Sequence, residues 1–316
     1  MITKIIREIE SNTSFLVTTH EGPDGDAVGS SMALASVLSS LGKDVTLYYC
    51  DPMPDTYQFL PLAKSVVHAI PDRSFDVCFV LDAGELKRAG QEIASFGRFG
   101  KIINIDHHPY SDDFGNLNYV DPSASATGAL IYRIMKTAGY AIDYDTALCV
   151  YVAIVADTGS FRYSNADPEA FKISGELVAL GINPWTVAEK LYESQPLKRL
   201  QLLALALSTL TVSKTGEFAS ITVTLDMYQK TGATSELTDG FVNYPRSIHG
   251  VEVSVFFREI KQGAFKVSFR SKGKVNVSSI AMAFGGGGHH NAAGSTLLGT
   301  IDEVTITVFS YLDQAL

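Results

Sequence analysis

The sequence has little cysteine, and the cysteines that it has are far apart. Cys50, Cys78 and Cys149 occur singly in apolar segments, and no two of them form a CxxC pair. This spacing excludes a disulfide framework and a zinc knuckle, and it predicts reduced thiols in a buried core. We therefore expect the protein to work in the cytoplasm.

Long apolar runs and an excess of basic residues are also missing. The longest apolar stretch, residues 202–212, is shorter than the ~20 residues that a membrane-spanning helix needs. Residues 1–10 space their isoleucines like one face of a helix and lack the apolar centre of a signal peptide. The net charge is −9, with 25 Lys and Arg against 34 Asp and Glu. We expect no membrane partner and no binding to long duplex nucleic acid, which requires a basic face.

The apolar residues form runs with two different periods. The runs at 14–19, 45–49, 76–82 and 101–105 are typical of buried strands, and helix-like segments separate them. This alternation predicts βαβ units and a mostly parallel sheet. Among the helix-like segments, residues 129–138 follow the run 123–128, whose residues are expected to supply side-chain helix caps. Beyond residue 212, polar and apolar residues alternate as they do in half-buried strands, at 218–225, 251–257 and 265–270. We therefore predict an α/β fold, with an N-terminal parallel sheet flanked by helices and a smaller C-terminal α+β domain.

The domain boundary is predicted where Glu193-Ser194-Gln195-Pro196 interrupts a helical pattern. We assign residues 1–190 to the N-terminal domain and residues 213–316 to the C-terminal domain. A linker helix is expected between them, at residues 191–212.

Histidine is clustered along the chain. Five of the seven histidines lie in three short motifs, and they are His20, His107, His108, His289 and His290. Acidic residues accompany the first two motifs or end other segments, and they are Asp24, Asp26, Asp82, Asp106 and Asp157. Because the carboxyl ends of parallel strands meet at one edge of a sheet, we expect most of these groups to converge there.

Such a concentration of acids predicts a metal centre. Unpaired carboxylates packed together would have raised pKa values and would cost stability, so cations are the natural compensation. Carboxylate and imidazole ligands without thiolates suit Mn²⁺ or Mg²⁺ best, with Fe²⁺, Co²⁺ or Zn²⁺ as alternatives. We predict two Mn²⁺ ions that share a carboxylate, an arrangement suited to in-line displacement at phosphorus.

Five motifs follow one another along the chain, and together they are specific. They are His20-Glu21-Gly22-Pro23-Asp24-Gly25-Asp26, Leu81-Asp82, Asp106-His107-His108, Asp157-Thr158-Gly159, and Gly286-Gly287-Gly288-His289 with Ala292-Ala293-Gly294. In this order and at this spacing they resemble the DHH family of phosphoesterases over nearly the whole chain. The resemblance is to the NrnA-like branch of nanoRNases and pAp phosphatases, which carries a DHH-associated C-terminal domain.

The resemblance implies a role for each candidate residue. His20 and Asp24 would hold the first ion. Asp26, His107 and Asp157 would hold the second, and Asp82 would bridge the two ions. Asp106 would orient an imidazole, and His108 would face the scissile phosphate. In the C-terminal domain, the substrate-binding set would be Gly286, Gly287, Gly288, His289 and Arg270. His290 is read as a surface residue, and a homodimer is implied.

The activity that the resemblance implies is a Mn²⁺-dependent phosphodiesterase, with Mg²⁺ or Co²⁺ as alternative ions. It would release nucleoside 5′-monophosphates from very short single-stranded oligonucleotides and would also dephosphorylate 3′-phosphoadenosine 5′-phosphate. Cleavage of cyclic dinucleotides (c-di-AMP, c-di-GMP) or of their linear products (pApA, pGpG) is the alternative within the enzymes. A non-catalytic nucleotide sensor is the alternative of another class, and the intact set of acids and histidines argues against it.

Overall fold

The computed structural model describes residues 1–315, apart from the side chain of His289. The chain divides into two compact units, Met1–Ser194 and a second unit that begins at Gln195. The helix that we expected as a separate linker is Leu197–Leu207, and its buried Leu202 and Leu203 belong to the core of the second unit. No helix in the described part of the chain is long and apolar enough to cross a membrane.

The first unit is built around a sheet in which every pair of neighbouring strands is parallel. Among the described residues, the strand order is β2-β1-β3-β4-β5. The elements are α1 (Ile2–Ser11), β1 (Ser14–Thr19), α2 (Gly25–Ser40), β2 (Asp44–Leu47), β3 (Phe75–Leu81), α3 (Gln91–Ser95), β4 (Phe99–Asp106), β5 (Leu117–Val120), α4 (Thr127–Ala138), α5 (Tyr144–Asp157), α6 (Pro168–Ala179) and α7 (Pro184–Tyr192). The predicted parallel sheet with flanking helices is confirmed. The short, half-buried strand β5 was not predicted.

Three of these helices pack unusually closely because glycines lie at their contacts. A Cβ atom at Gly25 of α2 would lie 2.3 Å from the Cβ of Ala156 in α5. At Gly29 it would lie 2.5 Å from a backbone carbonyl of α5, and at Gly128 of α4 it would lie 2.4 Å from the Cβ of Ala153. Helices α2 and α4 therefore both approach the same side of α5 to a distance that any larger residue would prevent.

The second unit is a mixed sheet with a different apolar core on each face. In the described residues the strand order is β10-β11-β9-β8-β7-β6, and β7 pairs with β8 in parallel, while the other pairs are antiparallel. The elements are α8 (Leu197–Leu207), β6 (Thr211–Val212), β7 (Phe218–Val223), α9 (Leu225–Thr231), α10 (Asn243–Arg246), β8 (Val253–Lys261), β9 (Ala264–Ser271), α11 (Val277–Ala283), β10 (Gly287–His289), β11 (Ala292–Leu298) and α12 (Ile301–Ala315). Helices α11 and α12 cover one face, and α8 and α9 pack on the other. The predicted α+β character is confirmed.

The close contact between α2 and α5 predicts the effect of a single methyl group. Gly29→Ala should lower the free energy of unfolding by about 1–3 kcal/mol, because the added Cβ overlaps α5 and forces the helices apart. This loss should occur although alanine favours a helix more than glycine does. Urea unfolding measures it.

Gly175→Ala in α6 is the matched control. A Cβ atom there has no neighbour within 4 Å. This substitution should therefore stabilise the protein by about 0.5–1 kcal/mol, the ordinary gain from replacing glycine inside a helix. If both variants gained stability alike, the proposed tight contact between α2 and α5 would be wrong.

Candidate metal centre

The predicted ligands of the first unit meet at the carboxyl edge of its sheet. His20 directly follows β1, Asp82 directly follows β3, and Asp106 is the last residue of β4. Helix termini bring the remaining acids. Asp24 is the N-cap of α2 and Asp26 lies in its first turn, whereas Asp157 is the last residue of α5.

Asp82 lies between two groups of potential ligands. Its Oδ2 atom is 3.8 Å from Nε2 of His20, which is 4.0 Å from Oδ1 of Asp24. Its Oδ1 atom is 3.6 Å from Nε2 of His107. Asp82 is buried, so its carboxylate is held within the site rather than turned to solvent. The two oxygens of this one carboxylate therefore face different sets of ligand atoms.

The second group is centred on His107. Its Nε2 atom lies 3.7 Å from Oδ2 of Asp26 and 3.6 Å from Oδ2 of Asp157. The ligand atoms of Asp26, His107 and Asp157 all lie within 4.8 Å of one another, and the same holds for His20, Asp24 and Asp82. Each group thus has the compactness that coordination of one ion by imidazole and carboxylate requires.

The hydrogen bonds of the two imidazoles show that these groups fit a cation. Nδ1 of His20 lies 2.9 Å from the carbonyl of Glu21, and Nδ1 of His107 lies 3.2 Å from the carbonyl of Ala124. A carbonyl only accepts, so we assign the proton of each ring to Nδ1. In the neutral ring, Nε2 then presents a lone pair to carboxylate oxygens. Two electron-rich atoms at this separation repel each other unless a positive charge lies between them.

Burial and the crowding of negative charge also raise the pKa values of three of these acids. Burial raises the pKa of Asp26 to about 8 against the opposing effect of His107, and Asp157 and Asp24 add to the rise. Burial also raises the pKa of Asp82, with a further contribution from Asp26, and it raises the pKa of Asp157 to about 6. Burial opposes protonation of His107, but Asp26 and Asp157 outweigh it and raise the pKa of that ring. Without a metal ion, these raised pKa values favour protonation of the same groups that would bind a cation.

Asp106 differs from Asp26, Asp82 and Asp157 because its pKa is lowered rather than raised. Its Oδ1 accepts hydrogen bonds from Nδ1 of His108 at 2.7 Å and from the His108 backbone N–H at 3.1 Å, and its Oδ2 accepts from the N–H of Gly84 at 3.0 Å. Burial alone would raise the pKa of Asp106, but the hydrogen bond from His108 helps to lower it to about 2. The carboxylate therefore holds the His108 ring in one orientation.

Three residues that hold the candidate ligands were not predicted from the sequence. The N–H groups of Thr127 and Gly128 donate to Oδ2 and Oδ1 of Asp26, at 2.6 and 2.9 Å. The Thr127 hydroxyl donates to Oδ1 of Asp82 at 2.9 Å, and Asn165 donates to Oδ2 of Asp157 at 2.9 Å.

The N-terminus of α4 is therefore capped in a different way from the one predicted. We expected the run 123–128 to supply side-chain helix caps, and this was wrong. Ala126 is the N-cap residue and has no capping side chain. The first N–H groups of α4 are instead satisfied by Asp26, 101 residues earlier in the chain. The signal in the sequence was a helix start at Ala126-Thr127-Gly128 without a local acceptor at the N-cap.

Part of the glycine motif of the second unit already makes hydrogen bonds and close contacts within the fold. The N–H of Gly286 donates to the carbonyl of Ala281 at 2.8 Å, and a Cβ atom at Gly286 would lie 2.1 Å from the carbonyl of Gly294. The prediction that the Gly286 amide binds an anion is therefore wrong, because that amide already has a partner. Gly287 and Gly288 are exposed on the edge strand β10. His289 was also predicted to bind substrate, and its side chain lies outside the described part of the chain.

Arg270 lies on the same face of the sheet as two other cations. On this face of β8 and β9, Lys266 is directly opposite Arg258, and Arg270 lies four residues further along β9. Burial, together with Arg258 and Arg270, lowers the pKa of Lys266. Arg270 is half-buried, and its Nη1 donates to the carbonyl of Phe269 at 3.0 Å. This face carries crowded positive charge, which favours an anionic ligand.

The fold and the site together define a class of protein. It is a two-unit α/β protein with a candidate metal centre of carboxylates and imidazoles at the carboxyl edge of a parallel sheet. Residues 14–154 match the family described as DHH family, N-terminal domain, and residues 219–310 match the DHHA1 domain. With the full-length relatives described next, these matches show that the chain belongs to the DHH family.

Relatives of known name cover nearly the whole chain. The chain is 34% identical to the bifunctional oligoribonuclease and PAP phosphatase NrnA of Thermus thermophilus, over 95% of this chain and 88% of that protein. It is 29% identical to the protein of the same name from Bacillus subtilis, over 94% and 93%. A crystal structure of an exopolyphosphatase-related protein from Bacteroides fragilis superimposes with a TM-score of 0.91 at 32% identity, covering 98% of this chain and 94% of that one.

The raised pKa values predict how metal binding depends on pH. Without metal, the folded protein holds a proton on Asp26 up to about pH 8, whereas the unfolded chain releases it near the ordinary value of 3.8. Stability of the metal-free protein therefore falls as the pH rises through this window. An ion must displace the proton, so Mn²⁺ should raise the midpoint of thermal unfolding more at about pH 8 than at about pH 5.5.

Thermal unfolding in Mn²⁺ and in EDTA, across this pH range, measures the difference. Asp76 of the same unit has its pKa lowered to about 2 by the N–H groups of Ser14 and Thr13, so it does not titrate in this window. Asp76→Asn should therefore leave the pH dependence of the Mn²⁺ effect unchanged, although it lowers stability. A stabilisation by Mn²⁺ of the same size at every pH would contradict the predicted displacement of protons.

Proposed function

We propose that the protein is a metal-dependent phosphodiesterase that hydrolyses very short oligonucleotides to nucleoside 5′-monophosphates and dephosphorylates 3′-phosphoadenosine 5′-phosphate. The observation that carries the proposal is the position of Asp82, whose two oxygens face two separate groups of ligand atoms. Relatives that are named oligoribonuclease and PAP phosphatase, and that match over almost the full chain, support the substrate class.

Two divalent ions are proposed at this centre, Mn²⁺ in preference to Mg²⁺ or Co²⁺. His20 and Asp24 would hold one ion, and Asp26, His107 and Asp157 the other, with Asp82 shared. The donor set of imidazoles and carboxylates, without thiolates, supports this choice. When bound, such a pair supplies an activated water and neutralises charge that develops at phosphorus.

His108 is the proposed catalytic residue beside the ions. Its Nδ1–H donates to Asp106, so the buried carboxylate fixes the plane of the ring. We assign Nε2 to the scissile phosphate, where a proton held on this nitrogen stabilises negative charge or is transferred to the leaving oxygen. Asp106 acts through His108 and is therefore a positioning residue.

Phosphate binding is also proposed for residues of the second unit, considered by itself. Arg270 belongs to a face with Lys266 and Arg258, and the exposed backbone of Gly287 and Gly288 lies on the edge strand of the same sheet. Guanidinium and amide donors suit phosphate oxygens. His289 stays in this proposed set on the strength of the sequence motif. Gly286 leaves it because its amide is already bonded.

We also propose a homodimer that works in the cytoplasm. The dimer is supported by the family resemblance, and the mass of the protein in solution, measured by light scattering, tests it. The compartment is supported by the thiols, because Cys78 and Cys149 are buried and free among the described residues. Burial raises the pKa of both, so they stay protonated and unreactive.

A substrate panel tests the proposed activity. Purified protein with Mn²⁺, Mg²⁺ or Co²⁺ is incubated with labelled RNAs of two to five nucleotides, with 3′-phosphoadenosine 5′-phosphate, and with cyclic and linear dinucleotides. We expect mononucleotides from the short RNAs and adenosine monophosphate from the bisphosphate, resolved by chromatography. Rapid hydrolysis of a cyclic dinucleotide, with no mononucleotide from short RNA, would replace the proposed substrate. No hydrolysis of any member of the panel would overturn the proposed activity and would favour the alternative of a non-catalytic nucleotide sensor.

Asp82→Asn tests the residue on which the proposal rests. Asp82 has a φ of +58°, and asparagine tolerates this left-handed conformation, so the backbone should be kept. Loss of the shared negative charge should lower kcat more than about 10²-fold, as removal of a preorganised electrostatic contact commonly does. The metal-free variant should fold at least as stably as the wild type, because crowding among the acids is relieved.

Asp72→Asn is the control for that variant. Asp72 is an exposed acid of the same unit and pairs with Arg98 on the surface, so kcat should not change. Unchanged turnover in Asp82→Asn would remove the shared carboxylate from the mechanism.

A further inference from the structure

One short segment touches the acids and imidazole that surround the second proposed ion. It comprises residues 124–128, Ala-Ser-Ala-Thr-Gly, and ends in the first turn of α4. The carbonyl of Ala124 accepts from Nδ1 of His107, and the carbonyl of Ser125 accepts from Asn165, which also donates to Asp157. Contacts from a single stretch of backbone thus reach ligands that come from different strands and helices.

Thr127 is distinguished within this segment because it contacts two of the acids. Its backbone N–H donates to Oδ2 of Asp26 at 2.6 Å, and its hydroxyl donates to Oδ1 of Asp82 at 2.9 Å. These acids are 101 and 45 residues away in the chain. One residue therefore links the carboxylate shared by both groups to a carboxylate that belongs to the second group alone.

We propose that Thr127 is a positioning residue that sets the rotation of the Asp82 carboxylate, and this inference rests on the proposed function. A carboxylate turns easily about its terminal bond, which would exchange or misdirect its two oxygens. The Thr127 hydroxyl holds Oδ1 on the side of His107, and Oδ2 then faces His20. The hydroxyl acts on the acid and does not itself hold an ion.

The surroundings of Thr127 make this hydroxyl an effective constraint. Both Thr127 and Asp82 are buried, so water does not compete for their hydrogen bond. The β-branched side chain has few rotamers, and its backbone is fixed at the start of a helix whose N–H groups bind Asp26. Contact of Gly128 with α5 holds that helix start in place.

The test compares Thr127→Val with Thr127→Ser. Valine keeps the shape and removes the donor, whereas serine keeps the donor. Calorimetric titration of the metal-free protein with Mn²⁺ should show affinity lowered about 10–100-fold in the valine variant, the usual cost of losing a group that orients a ligand. Serine should recover most of that affinity. With saturating Mn²⁺, kcat should fall in the valine variant while KM stays close to that of the wild type, because Thr127 does not touch substrate.

Thr146→Val is the matched control. Thr146 is also a buried threonine in the first turn of a helix, but its hydroxyl donates to Ser36, away from the candidate ligands. It should keep the Mn²⁺ affinity of the wild type. If Thr127→Val does not fold, Thr127→Ala removes the same donor, and its titration with Mn²⁺ decides the question.

The outcomes separate this inference from the proposed function. Wild-type protein that binds Mn²⁺ and hydrolyses short RNA, with a Thr127→Val variant of equal affinity and equal kcat, would overturn the positioning role alone. A folded wild-type protein that neither binds Mn²⁺ nor hydrolyses any phosphoester would overturn the proposed function and this role with it. Affinity lowered equally in the valine and serine variants would also overturn the role, since the hydroxyl would then not be the determinant.

Discussion

The close approach of α2 and α4 to α5 is the constraint on which the site depends. It is possible because Gly25, Gly29 and Gly128 carry no side chain where the helices touch. Interiors are packed too densely for a larger residue to be absorbed without moving a helix. The same contacts place Asp26 at one helix start, Thr127 at another and Asp157 at a helix end. A shift of one helix would therefore separate the ligand atoms of the candidate metal centre.

The second constraint is charge. Asp26 and Asp82 are buried beside other acids, and burial raises the pKa of both. Backbone donors from α4 reduce this cost at Asp26 but do not remove it. The rest of the unit, a parallel sheet covered by apolar helices, supplies the stability that keeps these carboxylates together. A cation bound between these carboxylates would offset this electrostatic cost, so the candidate site should be unfavourable without metal and favourable with it.

The arrangement of the second unit depends more on local sequence, because alternation along its strands places apolar and cationic residues on opposite faces. Phe265, Val267 and Phe269 of β9 enter one core. Lys266 and Arg270 lie on the opposite face. Alternation along a strand is a local property, so the sequence predicted this division correctly. The local pattern does not predict which glycine amides can bind a ligand. The hydrogen bond from the Gly286 N–H to the Ala281 carbonyl depends on how β10 is placed beside α11.

The sequence by itself determined where the candidate ligands would meet. Apolar runs that end in His20, Asp82 and Asp106 predict parallel strands, and such strands end at one edge of the sheet. Only the tertiary structure decided how those groups are held. The bonds from Thr127 to Asp82 and from Thr127 and Gly128 to Asp26 join residues 45 to 102 positions apart. The expected side-chain caps at 123–128 were wrong for the same reason. Periodicity reports which residues face a core, but the distance at which two helices pack depends on every contact between them, and no local pattern records it.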